Sequence, residues 1–366
     1  MSTDSMVGQD IAAGSNGIPA AARTHRVRVV EVIDETADAR SFVLTPTLTA
    51  DLPAGTFSYR AGQFLTVRVP DVGTGSARCY SLASSPDADT AMKITVKRVD
   101  GGHGSNWLCD SVVAGDELEV LPPAGAFTPR SVDDSVVLVA GGSGITPVIG
   151  IAKSILHVGA GEVTLIYANR DEASVIFAGE LRALEERFRD RFTVVHILES
   201  VQGYPSRQLL AVLLRPFTQR AVYICGPTPL MDLTAEVCAA VGFPSAHVRS
   251  ERFLSLRNDP FTEEPAPDAD EPDAADIVAD IQVVLDGDEH RVSWRTGRKL
   301  LDALLAAGLE APYSCREGAC SACVCSLTSG QVRMARNEVL TEEDLAEGYI
   351  LACQAEPVSE EISIEY

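Results

Sequence analysis

Four residues separate Cys315 from Cys320, two separate Cys320 from Cys323, and Cys353 follows near the end of the chain. A chain that must bring these four side chains together needs one loop to wrap a centre and a second element to close it. The C-x4-C-x2-C…C spacing is the plant-type arrangement for a [2Fe–2S] cluster, four thiolates shared between two irons. Gly318 and Ala319 suit a loop whose backbone comes close to bridging sulfides and offers them N–H groups. A structural zinc site is the competing reading, but such sites usually join two short C-x2-4-C units, and one is present here. A cluster carries electrons and selects no substrate. What feeds it must be sought in the rest of the chain.

With 366 residues the chain calls for two or three domains. Its 46% hydrophobic and 22% charged residues describe a globular protein. No Lys or Arg precedes Arg23 and no apolar core is present there, so no signal-peptide pattern is visible. The longest apolar run, 135–155, is interrupted by Gly141, Gly142, Gly144 and Pro147, which argues against a membrane span. Nine cysteines, four of them assigned to iron, indicate a reducing compartment rather than a disulfide framework, and the expected location is the cytoplasm. A formal charge of −22 argues against nucleic acid or an anionic membrane as partner. From Ile277 to Tyr366 there are 16 acids against 7 bases. Such a surface can steer a basic partner or simply keep the protein solvated.

Residues 1–25 are rich in Gly, Ala and Ser and read as a disordered leader. From Arg26 to about residue 130, short alternating strands (Val27/Val29, Leu65/Val67/Val69, Ile94/Val96) punctuated by Pro53-Ala54-Gly55 and Asp100-Gly101-Gly102 predict a small antiparallel barrel. Over 131–258 the rhythm becomes strand–helix alternation: strands at Val136–Ala140, Val163–Tyr167, Thr193–Leu198 and Ala221–Cys225, helices to about Val158, around Leu181–Arg189 and over Leu230–Val241. That pattern predicts right-handed βαβ units and a parallel sheet covered on both faces. Residues 259–276 are rich in Pro and acids and read as an extended linker. Over 277–366, a hairpin around Asp286-Gly287 and a helix at Leu300–Ala307 precede the cysteine loop in a small α+β domain.

The glycines Gly141, Gly142 and Gly144 follow a strand and open a helix, as a phosphate-cradling turn does. Cys225-Gly226-Pro227 closes a later strand of the same sheet, where carboxyl ends gather at a ligand crevice. Taken alone, a glycine cluster also serves any tight βα turn. In the barrel, Arg78, Tyr80 and Ser81 offer a cation for pyrophosphate, a ring to cover a flat ligand and a hydroxyl for its edge. An ordinary barrel surface would also explain them.

Together Arg78-x-Tyr80-Ser81, Gly102-x-x-Ser105, Gly141–Pro147 and Cys225-Gly226-Pro227 resemble the flavin and nicotinamide motifs of the ferredoxin–NADP reductase superfamily. The domain order resembles reductase components of multicomponent oxygenases. The segments RCYSLASSP (78–86), SNWLCD (105–110), YANRDEASVIF (167–177), SCREG (314–318) and ILACQ (350–354) most resemble reductases of the 3-ketosteroid 9α-hydroxylases. The phenylacetyl-CoA epoxidase reductases share the architecture and the Glu251-Arg252-Phe253 segment.

The resemblance implies three modules: an FAD-binding antiparallel β-barrel, an NAD-binding α/β doubly wound parallel sheet, and an α+β β-grasp [2Fe–2S] ferredoxin domain. It implies that Arg78 holds the FAD pyrophosphate, Tyr80 packs on the flavin ring and Ser81 approaches flavin N5. Gly102, Ser105 and Asn106 would bind flavin phosphates. Gly141, Gly142, Gly144 and Thr146 would cradle the dinucleotide phosphates, and Thr146 with Cys225, Gly226 and Pro227 would frame the nicotinamide. Glu251 and Phe253 would lie at the far flavin face. Cys315 and Cys320 would bind one iron, Cys323 and Cys353 the other. Asn169-Arg170 would meet the adenosine ribose; Arg170 leaves room for a 2′-phosphate, although the family likeness favours NADH over NADPH. Cys325, outside the cage spacing, reads as a strand side chain.

Hydride delivers two electrons together and a [2Fe–2S] cluster accepts one; a flavin converts between them, which explains three modules in one chain. The expected partner is a Rieske-type oxygenase. A reductase serving a phenylacetyl-CoA epoxidase or an aromatic-ring hydroxylase is the alternative. An iron–sulfur redox sensor is the non-enzymatic one, and it has no evident need for both flavin and nucleotide motifs.

Overall fold

The computed structural model describes residues 24–47, 55–70, 77–256, 259–261, 278–285 and 287–366. Apart from residues 24–25 and 259–261, the expected leader and linker lie outside them.

The first unit is a six-stranded antiparallel sheet: β1 (His25–Thr36), β2 (Ala39–Pro46), β3 (Phe64–Arg68), β4 (Ala77–Ser81), β5 (Met92–Lys97) and β6 (Glu117–Ala124), in the order β4-β3-β6-β1-β2-β5. A bridge from Leu82, just past β4, to Ile94 of β5 joins the two edges and closes the barrel. The period of two sends Val27 and Val29 inward between exposed neighbours. They meet Phe42, Leu65, Ile94 and, from helix His103–Ser111, Leu108.

The second unit is a parallel sheet: β7 (Val136–Gly141), β8 (Val163–Asn169), β9 (Phe192–Leu198), β10 (Ala221–Cys225) and β11 (Val248–Glu251), ordered β11-β10-β7-β8-β9. Every residue of β7 is buried, because helices cover both its faces. Leu138 and Ala140 pack with helices Ile145–Val158 and Ala178–Arg187; Val137 and Val139 pack with Arg207–Leu214 and Thr228–Val241. One difference from the sequence reading concerns the glycine turn. A single 3-10 turn, Gly142–Gly144, stands between β7 and its helix.

Barrel and parallel sheet share a core, since Ala61, Ala83 and Phe127 belong to the same buried cluster as Ile145 and Ile149. A polar clasp reinforces it. Lys153, buried within the helix, donates to Asp89 at 3.0 Å and to the Ala83 carbonyl at 3.2 Å, and pairs with Glu180.

The third unit comprises β12 (Val278–Leu285), β13 (Asp288–Arg295), β14 (Val324–Ser329), β15 (Val332–Met334), β16 (Tyr349–Leu351), β17 (Ala355–Pro357) and β18 (Glu361–Glu365). Its main sheet runs β13-β12-β18-β14-β16, parallel between β12 and β18 and antiparallel elsewhere; β15 and β17 form a separate ribbon. Trp294 and helix Leu300–Ala306 fill its core, which also takes in Cys325. This unit docks with its cysteine loop on the barrel: Cys315, Ala319, Cys320 and Ala322 share a buried cluster with Phe64, Ala77, Leu121, Leu256 and Phe261. Arg249 adds ion pairs to Asp344 at 3.2 Å and Glu347 at 3.5 Å. Among the described residues, no helix is long and apolar enough to cross a membrane.

Candidate active site

A cavity of about 960 Å³ opens where the three units meet. The barrel supplies Phe64, Cys79 and Ser81, the parallel sheet supplies 250–254, and the cysteine loop supplies 319–322. Among the polar atoms buried without a hydrogen-bond partner in the described residues, Ser81 Oγ, Glu251 Oε2 and the Tyr366 hydroxyl belong to residues that line this cavity. Orphaned buried polar atoms at a cavity wall fit the polar edge of a bound ring, and so fit a flavin. Burial alone pushes the Glu251 carboxyl up to about 8. Phe253 stands 48% exposed on the rim.

Cys225 is placed differently from Ser81 and Glu251. It is the register partner of Glu251 on the neighbouring strand, but it is buried in the sheet core and is not among the cavity-lining residues. Burial first, then the nearby Glu251 carboxyl, push its thiol well above the ordinary range.

Beside the cavity, Arg78 and Tyr80 of β4 lie over the start of helix His103–Ser111. A Cβ at Gly104 would fall 2.9 Å from Arg78 Cγ and 3.5 Å from the Tyr80 hydroxyl, so a glycine lets strand and helix meet there. Sequence reasoning missed Gly104, whose signal was its place in the run Gly101-Gly102-His103-Gly104. Ser105 and Asn106 turn their side chains to backbone: Ser105 Oγ accepts from the Val99 N–H at 3.1 Å, and Asn106 Nδ2 donates to the Val99 carbonyl at 3.2 Å. Gly102 is pressed against the same residue, a Cβ there falling 2.8 Å from Val99 Cβ. These three brace the turn that aims the helix N-terminus, where free N–H groups and the dipole favour an anion, toward Arg78.

The two turns of the parallel sheet nest backbone to backbone. A Cβ on Gly144 would lie 2.1 Å from the Cys225 carbonyl oxygen, one on Gly141 2.8 Å from Pro227 Cδ, and one on Gly226 2.9 Å from the Gly141 nitrogen. Gly142 adopts φ +52, and its carbonyl accepts from the Tyr167 hydroxyl at 3.0 Å. Thr146 Oγ1 donates to the Ser143 carbonyl at 3.0 Å. With the side chains thus engaged in bracing, backbone is what the helix N-terminus of Ile145–Val158 presents at the carboxyl end of the sheet, as a dinucleotide phosphate requires. Arg170, after β8, donates to Asp38 at 2.9 Å.

In the cysteine loop, Arg316, Gly318 and Ser321 all have positive φ (55, 75 and 53) and turn backbone N–H groups inward. Those of Glu317 and Ala319 donate to Cys315 Sγ, each at 3.4 Å, and that of Cys315 to Cys320 Sγ at 3.4 Å. The Cys353 N–H donates to Cys323 Sγ at 3.5 Å, and Gln354 Nε2 to Cys353 Sγ at 3.4 Å. The Cys315 thiol is pulled down to about 7, chiefly by its hydrogen bond with Cys320 and, against burial, by the Glu317 and Ala319 N–H groups. Four buried sulfurs in two pairs, each with N–H donors, fit a two-iron cluster ligated by thiolates.

Residues 26–128 match the family described as an oxidoreductase FAD-binding domain, 138–236 an oxidoreductase NAD-binding domain, and 283–358 a 2Fe-2S iron-sulfur cluster binding domain. The chain is 50% identical over 350 residues to the ferredoxin reductase component of 3-ketosteroid-9-alpha-monooxygenase of Rhodococcus rhodochrous, covering 95% of this chain and 99% of that protein. It is 32% identical over 364 residues to the glycine betaine monooxygenase reductase subunit of Pseudomonas aeruginosa (93% and 95% covered). The solved structure of phthalate dioxygenase reductase superposes with a TM-score of 0.54 at 26% identity, over 94% of this chain and 98% of that one. The chain belongs to the family of oxygenase reductase components that carry FAD-binding, NAD-binding and 2Fe-2S domains in one polypeptide.

Proposed function

We propose that this protein is the NADH-dependent reductase of a 3-ketosteroid 9α-monooxygenase, drawing electrons from NADH and supplying them singly to a Rieske-type oxygenase. The observation that carries the steroid assignment is 50% identity along nearly the whole length of both chains, against 32% for the glycine betaine reductase. When bound, FAD accepts hydride and releases single electrons, and the cluster carries them one at a time.

The chain's own residues bind, orient and shield. Arg78 and the start of helix His103–Ser111 take the pyrophosphate, Tyr80 covers the ring, and Ser81 and Glu251 meet its polar edge. The nested turns Gly141–Gly144 and Cys225–Pro227, with Thr146, hold the dinucleotide in line with the cavity, and Phe253 closes the rim. Cys225 acts by supporting the turn from beneath. Cys315, Cys320, Cys323 and Cys353 form the cage. Positioning is the main contribution to rate. The ion pair of Arg170 with Asp38 supports NADH over NADPH, because the guanidinium already has an anion partner. We assign the working domains 26–130, 131–258 and 277–366, separated by the 259–276 linker, and a cytoplasmic location in keeping with nine free cysteines.

Anaerobic titration with NADH and NADPH in parallel tests the relay. Bleaching of flavin and cluster bands by NADH, ending near three electrons per chain, is expected for one FAD and one single-electron cluster. Reconstitution with the steroid oxygenase component, and with a phenylacetyl-CoA epoxidase for comparison, tests the acceptor by product analysis. Hydroxylation of a 3-ketosteroid is the expected product.

A further inference from the structure

Thr66 on β3 and Ser314, the residue before the first cluster cysteine, are 248 positions apart, yet their hydroxyl oxygens stand 2.7 Å from each other. Both side chains are buried. Thr66 Oγ1 also meets the Cys79 thiol at 3.5 Å, and Cys79 is part of the cavity wall. The surrounding interface is apolar, built from Phe64, Ala77, Leu121, Leu256, Ala319 and Ala322. Apolar packing is non-directional and tolerates sliding. A hydrogen bond in a low-dielectric interface does not, because a small slip separates two buried hydroxyls and leaves Thr66 only its longer contact with Cys79.

We propose that Thr66 and Ser314 are a positioning pair that fixes the register of the cluster loop on the cavity wall. The Thr66–Cys79 contact completes an unbroken chain of groups from the cavity to Cys315. This rests on the reading that the flavin occupies the cavity. The step served moves one electron from the cavity to the thiolate cage, with NADH as its source and no atom transferred.

The test uses the holoprotein and its Thr66→Val, Thr66→Ser and Ser314→Ala variants, mixed rapidly with NADH under anaerobic conditions. Flavin bleaching and cluster bleaching are followed as separate phases, and amide hydrogen exchange of 314–323 is measured in parallel. Losing the bond in Thr66→Val or Ser314→Ala is expected to slow the cluster phase roughly tenfold and to speed exchange of the loop amides by a similar factor. Thr66→Ser restores both. The flavin phase and the electron paramagnetic resonance signature of the reduced cluster stay unchanged. Should Thr66→Val emerge without FAD or cluster, Ser314→Ala, which removes the same bond from the other side, is read in its place. A cluster phase at the original rate, or one slowed equally in Thr66→Ser, overturns the proposal. Absence of the flavin phase in the unmodified protein would instead overturn the flavin reading itself.

Discussion

Cys225 and Glu251 face each other in register at the carboxyl ends of adjacent parallel strands, and burial favours the protonated form of both. Glu251 has its carboxyl raised from 4.5 to about 8. A raised acid is neutral in the fold and ionised in the unfolded chain between those values. Its stabilising contribution is therefore complete below about 4.5 and lost as pH rises through about 8. NADH-driven dye reduction is expected to show an inflection near 8 that Glu251→Gln abolishes, and the variant's melting temperature should fall less between pH 5 and 8 than that of the unmodified protein. An inflection that survives the substitution would assign the titration elsewhere.

Cys320→Ala removes one sulfur from the proposed cage while leaving the nucleotide turns untouched. Loss of the cluster spectrum with NADH–dye activity retained is the expected outcome, measured by absorbance and steady-state assay. A folded, FAD-loaded variant lacking both would contradict the order of the relay.

Gly144 has an ordinary helical φ of −62, so the demand for glycine there is spatial. With the Cys225 carbonyl 2.1 Å from the position of a Cβ, Gly144→Ala must push the two turns apart. Overpacking of this kind costs about 1–3 kcal/mol. A lowered melting temperature and a raised KM for NADH are expected, with the cluster spectrum unchanged.

Lys153→Met breaks the buried clasp between barrel and parallel sheet. Removing one member of a buried pair costs about 3–5 kcal/mol, and Lys93, 2.8 Å from Glu180, should hold the loss to the lower end. Burial raises the Glu180 carboxyl, but Lys153 and then Lys93 more than offset it, so its pKa falls below 4.5. That stabilisation is present above 4.5 and lost as pH drops through the lowered value. Calorimetry should find the difference between the two proteins shrinking in acid.

The features legible in sequence were those encoded locally. Spacing singled out Cys315, Cys320, Cys323 and Cys353, which the fold brings together in two pairs, and apolar runs marked β7, β8 and β10 to within a residue or two. The helix ending at Val158 and the hairpin joining β12 to β13 followed from the same patterns. What escaped was set by partners distant in sequence. Lys153 looks anomalous in an apolar helix until Asp89 is seen 64 positions away. Gly104 gains its meaning from Arg78 and Tyr80. The docking of Cys315 and Cys320 against Phe64 and Leu256 joins segments on either side of the 259–276 stretch, and no periodicity reports it. The bracing roles of Ser105, Asn106 and Thr146 likewise depend on which backbone groups the fold leaves open.

The docked cysteine loop also takes part of its shelter from another unit of the fold. Cys315, Cys320, Cys323 and Cys353 are all at most 8% exposed, with Cys315 and Cys320 packed against the barrel beside Phe64 and Leu256. The shelter around those sulfurs is thus assembled from chain segments 248 residues apart, joined by the Thr66–Ser314 contact, and any parting of the first unit from the third would uncover Cys315 and Cys320 together.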